Sequence, residues 1–185
     1  MDPIDTLRQE HVLISRFIDT LALAVQRLEE DRNPPADFFK MSVKFASEFA
    51  DTFHHRKEEL IMFRRLAQKK SGAIDGRIEA LRYQHDQGRG FISRIHESLD
   101  AYSADDPMAA ATVRESCAAY VSLLRHHIHT EDHIFFPMAR EEMTDGEFEA
   151  LTIEFEHERE RLGHDTFKRF HEIVQNLGAM LEDSP

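Results

Sequence analysis

Apolar residues recur at every third or fourth position through five long stretches of the chain, the spacing of amphipathic helices that each turn one face to a core. The first, about residues 4–30, carries Ile4, Leu7, His11, Ile14, Ile18, Leu21, Val25 and Leu28 on its stripe, and Asp31-Arg32-Asn33-Pro34-Pro35 ends it. The second, about 36–70, places Val43, Ala46, Ala50, His54, Glu58 and Ile61 along its inner face among phenylalanines at 38, 39, 45, 49, 53 and 63, and Ser71-Gly72 closes it. Residues 74–102 form the third, with Ile78, Leu81, His85, Gly88, Ile92, Ile95, Leu99 and Tyr102 in register. Asp106-Pro107 reads as N-cap and first residue of a fourth, which runs to about 142 with Val113, Cys117, Tyr120, Leu124, His127, Glu131, Phe135 and Met138 on its stripe. Thr144-Asp145-Gly146-Glu147 is a capping box that opens a fifth, continuing to about 181 on Leu151, Phe155, Leu162, Phe170 and Leu177. No stretch alternates with the period of a strand. The expected fold is all-α: an antiparallel up-down four-helix bundle over about 4–142 with an additional C-terminal helix over about 144–181, in one domain spanning 1–185.

Composition narrows the partners. The chain has 185 residues and 41% hydrophobic content, enough for one core. Against 23 Lys and Arg stand 35 Asp and Glu, and a formal charge of -12 excludes nucleic acid and anionic membrane as natural partners. No apolar run approaches the roughly 20 residues that span a bilayer. One cysteine excludes an intramolecular disulfide, and Met1-Asp2-Pro3-Ile4-Asp5 lacks the basic and apolar regions of a signal peptide, so the expectation is a soluble, cytoplasmic protein.

The candidate chemistry lies on the apolar stripes themselves. Four carry one histidine each, His11, His54, His85 and His127, and two also carry a glutamate, Glu58 and Glu131. A carboxylate inside a core costs several kcal/mol unless a cation or a proton meets it, and an imidazole costs less but in the same sense. Each glutamate follows its histidine at i+4, so both side chains share a helix face. His54 to Phe63 and His127 to Phe136 echo one another: glutamate at +4, a second acid at +5, phenylalanine at +9. Alternating chain direction brings the four histidines to one level. A single core histidine is more often a hydrogen-bonded structural group than a metal ligand; four with two acids make a metal site the better reading. Glu59 and Asp132 stand where they could accept a ring N–H, though solvated ion pairs account for them equally well. His126, His129 and His133 share another face, open to an accessory zinc ion but better explained by solvent. His157, His164 and His171 fall opposite the last stripe and are expected in solvent, and Cys117 is core filling.

Gln9-Glu10-His11, the two His-x-x-x-Glu motifs and Gln84-His85-Asp86-Gln87-Gly88-Arg89 together resemble the hemerythrin-like, HHE cation-binding family over about residues 4–140. The resemblance implies two iron ions in a non-haem, oxo- or hydroxo-bridged site, with zinc as a substitute. It further implies His11, His54, His85 and His127 as terminal ligands and Glu58 and Glu131 as bridges. The chain departs from the oxygen-carrying members. Arg89 stands where they have a second histidine in the third helix, and the fourth-helix carboxylate is Glu131 at +4. One iron is then expected to be less fully ligated by protein, and Arg89 to turn outward to surface acids. The resulting expectation is a protein that binds or senses oxygen, nitric oxide, peroxide or iron. An enzyme that removes peroxide or nitric oxide and a zinc-holding or metal-free helical bundle are the alternatives. No nucleophile–base pair or phosphate-cradling loop is present, so no catalytic residue is assigned, and a protein partner is left open.

Overall fold

The computed structural model describes residues 2–69, 72–163 and 165–182; among these it is built of six helices and no strand. Helix α1 spans Pro3–Glu29, opened by Asp2, whose side chain accepts the Ile4 N–H at 2.8 Å. Helix α2 runs over 36–67, with α turns at Ala36–Lys44 and Phe63–Ala67 around two π-helical segments, Phe45–His55 and Glu58–Met62. Helix α3 is Gly72–Ser103. Helix α4 runs over 107–142 from the Asp106 cap and carries a third π segment at Glu131–Phe135. Helix α5, Asp145–Leu162, starts at the Thr144–Glu147 capping box, both of whose reciprocal bonds are made, and α6 spans Thr166–Glu182.

The first four helices form the expected bundle, but the C-terminal segment is two helices rather than one. Glu156 to Arg161 offer no apolar side chain to the core, Leu162 is only half-buried, and Gly163 takes φ 98°, a left-handed cap that an L side chain resists. The second helix also stops earlier than its pattern suggested, at Ala67, and the third begins at Gly72; Ser71 lies outside the described residues. No helix among the described residues is long and apolar enough to cross a membrane.

The apolar interior falls into two parts with a polar layer between them. One part gathers Leu7, Met62, Phe63, Leu66, Ile78, Phe135 and Phe136; the other gathers Phe17, Phe45, Phe49, Leu99, Val113 and Leu124. In every bundle helix the change from one to the other falls at the inward histidine. Helix α5 covers the first part with Phe148, Leu151 and Phe155, and α6 covers the second with Phe170, Val174, Leu177 and Leu181.

Two glycines give opposite expectations. Gly163→Ala, at positive φ, is expected to destabilise the protein by roughly 1 kcal/mol or more. Gly90→Ala, inside α3 with open space around its Cβ position, is expected to stabilise it by roughly 0.5–1 kcal/mol. Urea unfolding of both variants checks the pair.

Candidate metal centre

The six polar residues of the stripes meet in the layer between the two apolar parts, and all six are buried. His11 of α1 faces His54 of α2 with their Nε2 atoms 3.0 Å apart, and His85 of α3 faces His127 of α4 with theirs 3.1 Å apart. Between the two pairs lie the carboxylates. Glu131 Oε2 is 3.2 Å from both His11 Nε2 and His127 Nε2, while Glu58 stands 3.6 Å from His54 Nε2 and 3.5 Å from His85 Nε2. Potential ligand atoms fall into two groups that share Glu58: His11, His54, Glu58 and Glu131, and His55, Glu58, His85 and His127, each within 4.8 Å mutually.

Every facing imidazole is held from behind at Nδ1. His11 meets Asp132 at 2.9 Å, His54 meets Glu10 at 2.8 Å, His85 meets Glu59 at 2.7 Å and His127 meets the Gln84 side-chain oxygen at 2.8 Å. Each of those partners only accepts, so Nδ1 donates, and in the neutral ring Nε2 is left as a bare lone pair directed inward. With all four rings neutral, lone pairs would face each other across about 3 Å, and all four oxygens of Glu58 and Glu131 are buried without a hydrogen-bond partner among the described residues. Such a set fits cations: imidazole nitrogens and shared carboxylates are ligands that a divalent metal takes, and outer acceptors fix the tautomer that ligation requires.

The electrostatics carry the same strain. Burial drives Glu58 well above the usual carboxylate range, and the charges of Glu131 and Glu10 add to it. Burial likewise drives His54 and His85 well below the usual imidazole value, with neighbouring histidines adding to it, and lowers His127 to about 4. His11 goes the other way: burial lowers it, but Asp132 and Glu131 outweigh burial and lift it to about 9.

Several participants escaped the sequence reading. His55, next to His54, is buried with its ring stacked on His85 at 3.8 Å between centroids and 14° between planes. It comes inside because the π segment Phe45–His55 closes wider turns than an α-helix, so two consecutive residues reach the core. The paired files Phe45-Ala46, Phe49-Ala50 and Phe53-His54, two adjacent buried residues in each turn, were the signal for it. His55 thus stands with Glu58, His85 and His127 in one of the two groups of potential ligand atoms, alongside the place where Arg89 replaces a histidine of α3. Arg89 does turn away from the centre, as expected, with its guanidinium bonded to Asp51, Glu59 and Asp86 at 2.7–2.9 Å. Also unforeseen is a buried ion pair behind His54, where Lys57 bonds Glu10 and lies over the Phe53 ring. Glu59 and Asp132 are the acceptors their positions allowed them to be. His126, His129, His133 and His157 are exposed, His171 is half-buried 3.4 Å from Arg16, and His164 lies outside the described residues. Cys117 is fully buried in the core, which pushes its thiol up to about 12.

A helical bundle with a buried histidine and glutamate layer at its middle is a cation-binding fold. The chain belongs to the hemerythrin HHE cation-binding domain family, whose model matches residues 2–139. It is similar to an uncharacterized protein of Mycobacterium tuberculosis and to one of Mycobacterium bovis, each 29% identical over 157 residues, or 85% of this chain. The chain spans 61% of the length of those relatives. No solved structure matches it.

The uncompensated carboxylates set an expectation for the metal-free protein. Glu58→Leu removes a buried acid that lacks a partner, so in the presence of a chelator it is expected to raise unfolding stability by roughly 1–3 kcal/mol. In denaturant titrations with added metal the order is expected to reverse, because the wild type gains binding energy that the variant has lost.

Proposed function

We propose that this chain is a non-haem di-iron protein that binds or senses a small ligand such as oxygen, nitric oxide or peroxide, or iron itself. One position would be formed by His11 and His54, the other by His55, His85 and His127, with Glu58 and Glu131 shared between them. The observation that carries this reading is the pair of facing Nε2 contacts, at 3.0 and 3.1 Å, around two carboxylates without a hydrogen-bond partner among the described residues. The second position counts five donors, His55, His85, His127, Glu58 and Glu131, one more than a tetrahedral zinc site takes, and none of the seven residues is a thiolate, which favours iron over zinc. Two redox-active ions held there would supply the capacity to take up diatomic molecules or peroxide.

The remaining residues orient and shield. Phe136 stacks on His11 at 5.6 Å and Phe63 on His85 at 6.1 Å, closing one end of the layer to water. Asp132, Glu10, Glu59 and Gln84 hold the rings from outside. The charge of -12 leaves no basic face for a polyanion, in keeping with a small-molecule ligand.

Metal analysis tests the reading. Protein purified without added metal chelators is expected to carry two irons per chain, with an oxo-bridge charge-transfer band after exposure to air. His54→Ala and Glu131→Ala are expected to lose most of the metal while keeping a helical circular dichroism spectrum. Stoichiometric zinc alone, or metal content unaffected by both substitutions, would overturn it.

A further inference from the structure

His55 differs from the other four imidazoles of the centre in two respects, its outer contact and its exposure. Its Nδ1 contact, to Asp51, is 3.3 Å, against 2.7–2.9 Å for the others. Arg89 bonds the same Asp51 oxygen from Nε at 2.9 Å and from Nη2 at 2.7 Å, as it bonds the Glu59 oxygen behind His85 at 2.7 Å, but His85 keeps its own 2.7 Å contact to that oxygen while His55 is held at the longer distance. His55 is 6% exposed where the other four are at 2% or less. Together with His85, whose outer bond is short, it stands on the wall of a cavity of about 270 Å³ between α2 and α3, which His54, His11 and His127 do not line. Gly88 keeps that cavity open: a Cβ there would come within 3.5 Å of the Tyr120 ring, and a longer side chain would occupy the space.

Resting on the metal-binding reading above, we infer that His55 is an exchangeable ligand, whose ring swings off its metal into this cavity and yields the position to a small uncharged molecule arriving by the same route. The four imidazoles with short outer bonds hold the ions; the fifth, loosely backed and beside open space, is the one that can leave. The walls choose the class of ligand. Val43, Ala46 and Ile92 are apolar, Ser47 and Ser93 are polar but uncharged, Asp51 is an acid, and the Arg89 guanidinium is already engaged by three carboxylates, so it offers an anion no free donor face. An uncharged molecule of diatomic size meets no such barrier.

The test compares His55→Ala with His127→Ala, both loaded with ferrous iron under argon. His55→Ala is expected to keep both irons and to bind imidazole from solution, read as a spectral change that the wild type does not show at the same concentration. His127→Ala is expected to release iron to a chelator roughly 10–100-fold faster than the wild type. Gly88→Leu in the otherwise unchanged protein is expected to slow nitric oxide binding at the ferrous ions by about tenfold or more, with metal content unaltered. Loss of iron from His55→Ala equal to that from His127→Ala would make His55 a permanent ligand and overturn the inference. Two retained irons with no response to imidazole would overturn it by removing His55 from the ligands. Iron retained in full by both alanine variants would instead overturn the ligand set itself, and this inference with it.

Discussion

Two glutamates that find no hydrogen-bond partner among the described residues, buried between the two apolar parts of the interior, are the constraint to which the rest of the molecule answers. An unpaired ionised group there costs more than a typical hydrogen bond returns, so the core can retain them only if positive charge meets them. Everything adjacent works toward that end. Four imidazoles converge on the carboxylates, phenylalanines seal the layer from water, and the apolar interior is divided so that the layer has room. The backbone yields as well: both glutamates open a five-residue π segment, Glu58–Met62 and Glu131–Phe135. The echo between the two His-x-x-x-Glu stretches is thus an echo of backbone geometry as well as of side chains.

Most of this was legible because helical periodicity converts directly into burial. All eight stripe positions of α1 are buried, as are all eight named for α3, and the histidines among them could be placed at one level from chain direction alone. What was not legible has a common cause. An α-helical wheel assigns His55 to a flank, and only the wider π turn brings it inside; the adjacent pairs from Phe45-Ala46 to Phe53-His54 are its one trace in the sequence, and a wheel reads them as ordinary core. Glu10 and Lys57 were missed for another reason. Each reads as a surface charge when taken singly, and only their pairing behind His54 makes burial tolerable. The break at Gly163 was visible as a glycine after a charged run, but the apolar stripe continues in phase across it and masked the interruption.

Arg89 shows how a substitution in a ligand position need not leave a hole. Its guanidinium ties Asp51 and Glu59, both on α2, to α3, and those two carboxylates are the ones behind His55 and His85. The residue that replaces an expected ligand therefore supports two imidazoles at once. Burial lowers its basicity, but the hydrogen bonds and charges of Asp51, Glu59 and Asp86 together outweigh burial and raise it, so it stays charged.

The acceptors behind the imidazoles also settle when disorder is lost. A histidine free to rotate about two torsions and to exchange tautomers gives up that freedom when it captures an ion, and the loss weakens capture. Here Asp132, Glu10, Glu59 and Gln84 have frozen four rings in one tautomer already. The entropy has been surrendered during folding, so an arriving cation meets a rigid receptor whose affinity is set by coordination enthalpy. The corollary is that the polypeptide without its ions is the state under tension.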